Sequence, residues 1–198
     1  MKRAVALLLT IALLPLAASC RISGRSAQRL SQAIRDKIKN ASTVTLSVNV
    51  RADYVDRVYD FSFSFTGGGE GGEITITAPE SIAGLKAHLS KSGTRLEYDG
   101  AFLDTGPLTW DGLSPAEAVP LLLDQWREGY ISNTSYEKLG DTDAFVIATE
   151  VSDSISQRTW FDRESLLPLR SELSENGRLV LTCEFTHASF GEAPDQEG

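Results

Sequence analysis

The chain has 198 residues, with 19 Lys and Arg against 27 Asp and Glu, two His, two Cys and a formal net charge of −8. That balance repels a phosphate backbone, so nucleic acid is excluded as a partner. The two histidines, His88 and His187, and the two cysteines, Cys20 and Cys183, fall in no ligand spacing, so no metal centre and no cofactor is expected.

Lys2 and Arg3 precede AVALLLTIALL and Pro15, the charged, then apolar, then small order of a secretory signal peptide. At ~1.5 Å per helical residue this core is too short for a bilayer of roughly 30 Å, which makes it an export leader and not a membrane span. Its closing LAASC resembles the lipobox of bacterial lipoproteins, although Ala17 stands where that pattern has a larger aliphatic residue. The resemblance implies a signal peptide over residues 1–19, a diacylglycerol thioether on Cys20 as lipid anchor, and a tether over 20–25. Acyl burial at about 0.8 kcal/mol per CH₂ makes two chains a stable hold where one is not. The partner implied is a membrane, and the location extracytoplasmic.

Around this point Arg21, Arg25, Arg29, Arg35, Lys37 and Lys39 face only Asp36, whereas Thr43 onward holds 11 basic and 26 acidic residues. The basic stretch suits either anionic headgroups beside the anchor or one solvated helix face. Within it, SAQRLSQAIRDKIKN (Ser26–Asn40) spaces Leu30, Ile34 and Ile38 by four, which predicts an amphipathic helix.

The period then falls to two. Val44, Leu46, Val48 and Val50 alternate with polar residues, as do Tyr59, Phe61, Phe63 and Phe65, and both runs predict strands with one apolar face. GGGEGG (Gly67–Gly72) lacks the Gly-Lys-Ser/Thr of a phosphate loop and reads as a flexible hairpin tip. Strands are expected at Glu73–Ala78, Ala83–Ser90, Arg95–Tyr98 and Ala101–Asp104, the last two joined by an Asp99-Gly100 hairpin.

Ser114-Pro115-Ala116-Glu117 combines an N-cap, a first-turn proline and a capping-box glutamate. Val119, Leu122, Leu123 and Trp126 then form a helical stripe ending at Gly129, with Pro120 expected to kink or restart the helix. Further strands follow at Ser132–Lys138, Phe145–Val151, Arg158–Asp162, Leu169–Ser174 and Leu179–Phe190, with Asn176-Gly177 the strongest hairpin signal. Cys183 alternates with Leu181 and Phe185, so it faces the apolar side as a small hydrophobe. Residues 192–198 read as a disordered acidic tail.

No Gly-x-Ser-x-Gly elbow, metal pattern or calcium loop is present, and the carboxylates carry no pairing signal, so the expectation is a protein that is not an enzyme. What stands out is an aromatic sheet face flanked by two amphipathic helices. It is either an ordinary core or an incompletely filled apolar pocket, lined by Leu46, Val48, Tyr59, Phe61, Phe63, Phe65, Leu122, Trp126 and Trp160.

The order of lipobox, helix, strand meander, helix and further strands is similar to that of the LolA/LolB-type lipoprotein-carrier superfamily. Trp160-Phe161-Asp162, Leu167-Pro168-Leu169-Arg170 and the closing strand Leu179–Phe185 carry the resemblance. It implies an α+β, mainly antiparallel, unclosed half β-barrel over residues 26–191, its two helices packed on the concave face around a cavity for lipid or acyl chains. LVLTCEFTHASFG and ITAPESIAGL look closer to membrane-anchored germination lipoproteins of spore formers, which implies a protein partner instead. Two functions are thus carried forward, a lipid-binding module and a protein-interaction scaffold in the cell envelope.

Overall fold

The computed structural model describes residues 24–68, 71–90, 93–106 and 113–192. The expected signal peptide, Cys20, and residues 193–198 of the expected tail lie outside the described residues, while Glu192, expected as the tail's first residue, ends the last strand. By its internal contacts the chain divides into two units, Met1–Ala33 and Ile34–Gly198. In the first, residues 24–33 are helical, with Ser31 Oγ donating to the Ala27 carbonyl at 2.9 Å. The helix, α1, spans residues 24–39, beginning inside the segment expected to be a tether. In the second unit its Ile34 and Ile38 are fully buried, as their four-residue spacing predicts.

Eleven strands follow among the described residues: β1 (Ala41–Asp53), β2 (Val58–Gly68), β3 (Gly71–Ala78), β4 (Lys86–Ser90), β5 (Gly93–Tyr98), β6 (Ala101–Gly106), β7 (Tyr130–Leu139), β8 (Thr142–Glu150), β9 (Ile155–Asp162), β10 (Pro168–Glu175) and β11 (Arg178–Glu192). They form one antiparallel sheet in the order β6-β5-β4-β3-β2-β1-β11-β10-β9-β8-β7. Two meanders, β1–β6 and β7–β11, are joined where β1 pairs with β11. The sheet does not close, since β6 and β7 are its two edges, and the architecture is the unclosed antiparallel half-barrel expected above.

Local chemistry sets the register. Asp99-Gly100 and Asn176-Gly177 both have two successive positive φ angles, 49° and 77°, then 49° and 78°. These are two-residue hairpin turns whose twist matches the strands, and they fix the pairs Tyr98 with Ala101 and Glu175 with Arg178. The glycine run is mostly strand: Gly67 pairs with Gly72, and Gly68 with Gly71. A Cβ on Gly67 or Gly72 would lie 2.5 or 2.6 Å from the ring of Phe65, so these glycines make room for an aromatic side chain. The strand expected from Ala83 begins only at Lys86, because a 3-10 turn over Glu80–Ile82 and Gly84 at φ 88° intervenes.

Helix α2 (Pro115–Glu128) starts where the capping signal put it, with Ser114 Oγ accepting from the Glu117 N–H at 3.3 Å. It runs through Pro120 without interruption. The proline falls in the second turn, where its missing N–H removes only the bond to Ala116, near an end that is short of partners anyway. The buried side is wider than the expected stripe, adding Ala118 and Leu121 to Val119, Leu122, Leu123 and Trp126.

Candidate functional site

In an antiparallel ladder, directly opposed residues point to the same face, so the register sorts the sheet into rows. Helix α2 marks the inner face. The Trp126 ring meets Phe161 and Phe185 edge-on at 5.6 and 5.5 Å, and its indole N–H donates to Thr159 Oγ1 at 2.9 Å. One inner row runs Phe61, Val50, Cys183, Ser171, Thr159, Ile147. The next holds Ile76, Phe63, Val48 and Phe185.

A third row crosses six strands: Leu46, Phe65, Ile74, Ala87, Leu96 and Leu103. Along it cover is lost. Leu46 is 0% exposed, Phe65 and Ile74 are buried, Leu96 is half-buried, and Leu103 on the edge strand is 61% exposed. Tyr98 and Tyr59 on the same face are also open to solvent. The apolar inner surface is therefore continuous from the core to an uncovered end at β5 and β6.

The outer face differs in chemistry. There Lys86 and His88 pair with Glu73, His88 Nε2 lies 2.8 Å from Glu97, and Arg95 pairs with Asp104. Nearby Phe102, 63% exposed, is an apolar exception on that face of β6. An open cleft of about 680 Å³ beside β4–β6 has a mixed lining, with His88, Arg95, Glu97 and Asp104 beside Leu89, Thr94 and Phe102.

Of the residues singled out from the sequence, Leu46, Val48, Phe61, Phe63 and Phe65 share the inner face, and Tyr59 continues their run toward solvent. Leu122 and Trp126 are buried on α2. Trp160 is not among them. It sits one residue out of phase with Thr159 and Phe161, on the outer face, where it packs with Ala144 and Val146. Arg158 and Arg170 stack on its ring at 4.7 and 5.9 Å, and its N–H donates to Glu137 Oε2 at 3.0 Å. The Glu137 carboxyl is held below its ordinary range, chiefly by the Ser135 hydroxyl and also by Trp160 and Arg158.

Two features were not read from the sequence. At the β1–β2 turn Tyr54 donates its hydroxyl to the Leu113 carbonyl at 2.6 Å, tying this tip to the lead-in of α2, and burial raises its pKa. The inner face also carries a polar patch, Thr149, Gln157, Thr159 and Ser171, all buried. Cys183 is free and fully buried, and burial pushes its thiol up to about 12. No group of three or more His, Cys, Asp or Glu among the described residues could hold a metal ion.

The sequence matches no family model and no curated protein. Among solved structures, an uncharacterized conserved protein from Thermus thermophilus is similar with a TM-score of 0.54 at 7% identity, over 86% of this chain and 90% of that one. Looser likenesses are a putative outer membrane lipoprotein-sorting protein domain from Vibrio parahaemolyticus (TM-score 0.45, 12% identity, 85% and 93% covered) and a LolA superfamily protein from Nitrosomonas europaea (0.41, 13%, 84% and 96%). At such identities a likeness is one of fold alone.

Proposed function

We propose that this chain is a non-enzymatic lipoprotein, held outside the cell on a membrane by acylated Cys20, whose inner sheet face takes a lipid or acyl chain. The observation that carries this reading is the apolar row from buried Leu46 to open Leu103, which offers an alkyl chain a path from solvent to the core. The driving force is burial. A chain of about sixteen carbons gains about 12 kcal/mol gross, from which association costs of roughly 4 kcal/mol or more are subtracted.

The wall is formed by Leu46, Val48, Phe61, Phe63 and Phe65, with Tyr59 at the rim and Leu122 and Trp126 above. Neither a cofactor nor a metal takes part. Displacement of a fluorescent fatty-acid probe from the purified protein tests the reading: saturable binding supports it, and failure of any acyl probe to bind rejects it.

A second reading, a scaffold for an envelope protein, has one observation in its favour. Edge strand β6 is unpaired on its outer side among the described residues and exposes Phe102 and Leu103 on opposite faces, which suits addition of a partner's strand. Crosslinking from β6 in intact envelopes would yield one defined protein partner if this holds, and only lipid if it does not.

A further inference from the structure

Six buried polar side chains occur among the described residues, and four of them, Thr149, Gln157, Thr159 and Ser171, form one patch across β8, β9 and β10. Thr159 Oγ1 accepts the Trp126 indole N–H and the Gln157 amide N–H, each at 2.9 Å. Both lone pairs are then engaged, and its own hydrogen goes to Ser171 Oγ at 2.8 Å. Held by its nitrogen, Gln157 leaves Oε1 with no hydrogen-bond partner among the described residues, and Thr149 Oγ1 has none either. Yet the two residues are only 1% and 2% exposed, and they oppose one another directly in the β8–β9 ladder.

Buried polar atoms are nearly always satisfied. Here an acceptor stands beside a hydroxyl, and the group that fits both is one that donates to Gln157 Oε1 while accepting from Thr149. A hydroxyl does so. An ester carbonyl or an ether has no hydrogen to give, and an ionised carboxylate has none either.

We infer that Thr149 and Gln157 form a polar subsite for one neutral hydroxyl of a bound amphiphile, such as the free hydroxyl of a glyceride. This rests on the lipid-binding reading above. The pair belongs to one inner row that runs Tyr59, Ala52, Leu181, Leu173, Gln157, Thr149, Ile131. That row has half-exposed Tyr59 at one end and half-buried Ile131, on edge strand β7, at the other. Thr149 is thus one strand in from the edge strand β7, and Leu173, Leu181 and Ala52 continue its row away from that edge as an apolar run.

The test is competition against a fluorescent fatty-acid probe on the full chain, by a 1-monoacylglycerol and by its fully O-methylated ether of equal chain length. The hydroxylated competitor should bind about tenfold more tightly. That preference should fall to about one in Thr149→Val and Gln157→Leu and persist in Thr149→Ser. Equal competition by the two lipids on the wild-type protein overturns the subsite, marking it as holding a resident water only, while leaving the lipid-binding reading intact. Absence of any probe binding removes both. The wild-type comparison decides even if a variant fails to fold.

Discussion

Replacing Leu103 by lysine should weaken acyl-probe binding while leaving the fold alone, because the side chain is part of the apolar inner row but stands at its uncovered end. Moving a leucine side chain from water into apolar contact is worth about 1.5–3 kcal/mol. With 61% of Leu103 open to solvent, about 1–2 kcal/mol remains to be gained against a ligand. Its loss amounts to about 5- to 30-fold in Kd. Stability should move by no more than about 0.5 kcal/mol, since little buried surface is disturbed.

Phe102 supplies the control. It is the preceding residue on the same strand, is 63% exposed, and points to the opposite face. Phe102→Lys should therefore leave probe affinity within about twofold. Fluorescence titration measures the affinity, and thermal unfolding of each variant checks the fold. The reasoning fails if Phe102→Lys weakens binding as much as Leu103→Lys, or if Leu103→Lys binds like the wild type.

Gly72→Ala should cost about 1–3 kcal/mol by denaturant unfolding, because its methyl would sit 2.6 Å from the Phe65 ring. Part of that cost should be recovered in a Phe65→Leu background, and strict additivity of the two changes would refute the collision. Cys183, buried and with its thiol pushed up to about 12, should resist alkylation at neutral pH until the chain unfolds, so rapid labelling of native protein would contradict the packing. Asp162 is held below its ordinary range by the Ser165 backbone N–H and hydroxyl and by the Glu164 N–H. A depressed folded-state pKa means that this contribution is present above the usual Asp value of about 3.9 and is lost as pH falls through the lower folded value. The stability gap between wild type and Asp162→Asn should accordingly shrink on acidification through that window, and a gap independent of pH would refute the assignment.

Much of this architecture follows from short-range signals. Alternation at Val44–Val50 and Tyr59–Phe65, the Asp99-Gly100 and Asn176-Gly177 turns, and the Ser114-Pro115 cap each fix a local conformation, and the structure retains every one. Where local signals are ambiguous, tertiary context decides. Trp160 and Phe161 are adjacent aromatics, so alternation alone does not say which one faces inward. The answer lies in their neighbours: Arg158 shares the phase of Trp160 and stacks on it, while Gln157 and Thr159 share the phase of Phe161. The inner polar patch was hidden for the same reason, since Thr and Gln in a strand read as solvent-facing until a helix with a donor such as Trp126 is laid over them. The glycines at 67 and 72 look like a loop in sequence and serve as space for Phe65 in the sheet. The graded exposure from Leu46 to Leu103 depends on pairing across six strands, information that no single segment contains.

Native mass spectrometry of the full-length product, extracted gently from its own membranes, tests the lipid-binding claim most directly. The account predicts a non-covalent lipid adduct on the protein, released by a competing fatty acid and diminished in Leu103→Lys but not in Phe102→Lys. Protein that flies bare in every preparation, and takes up no lipid when one is offered, would contradict it.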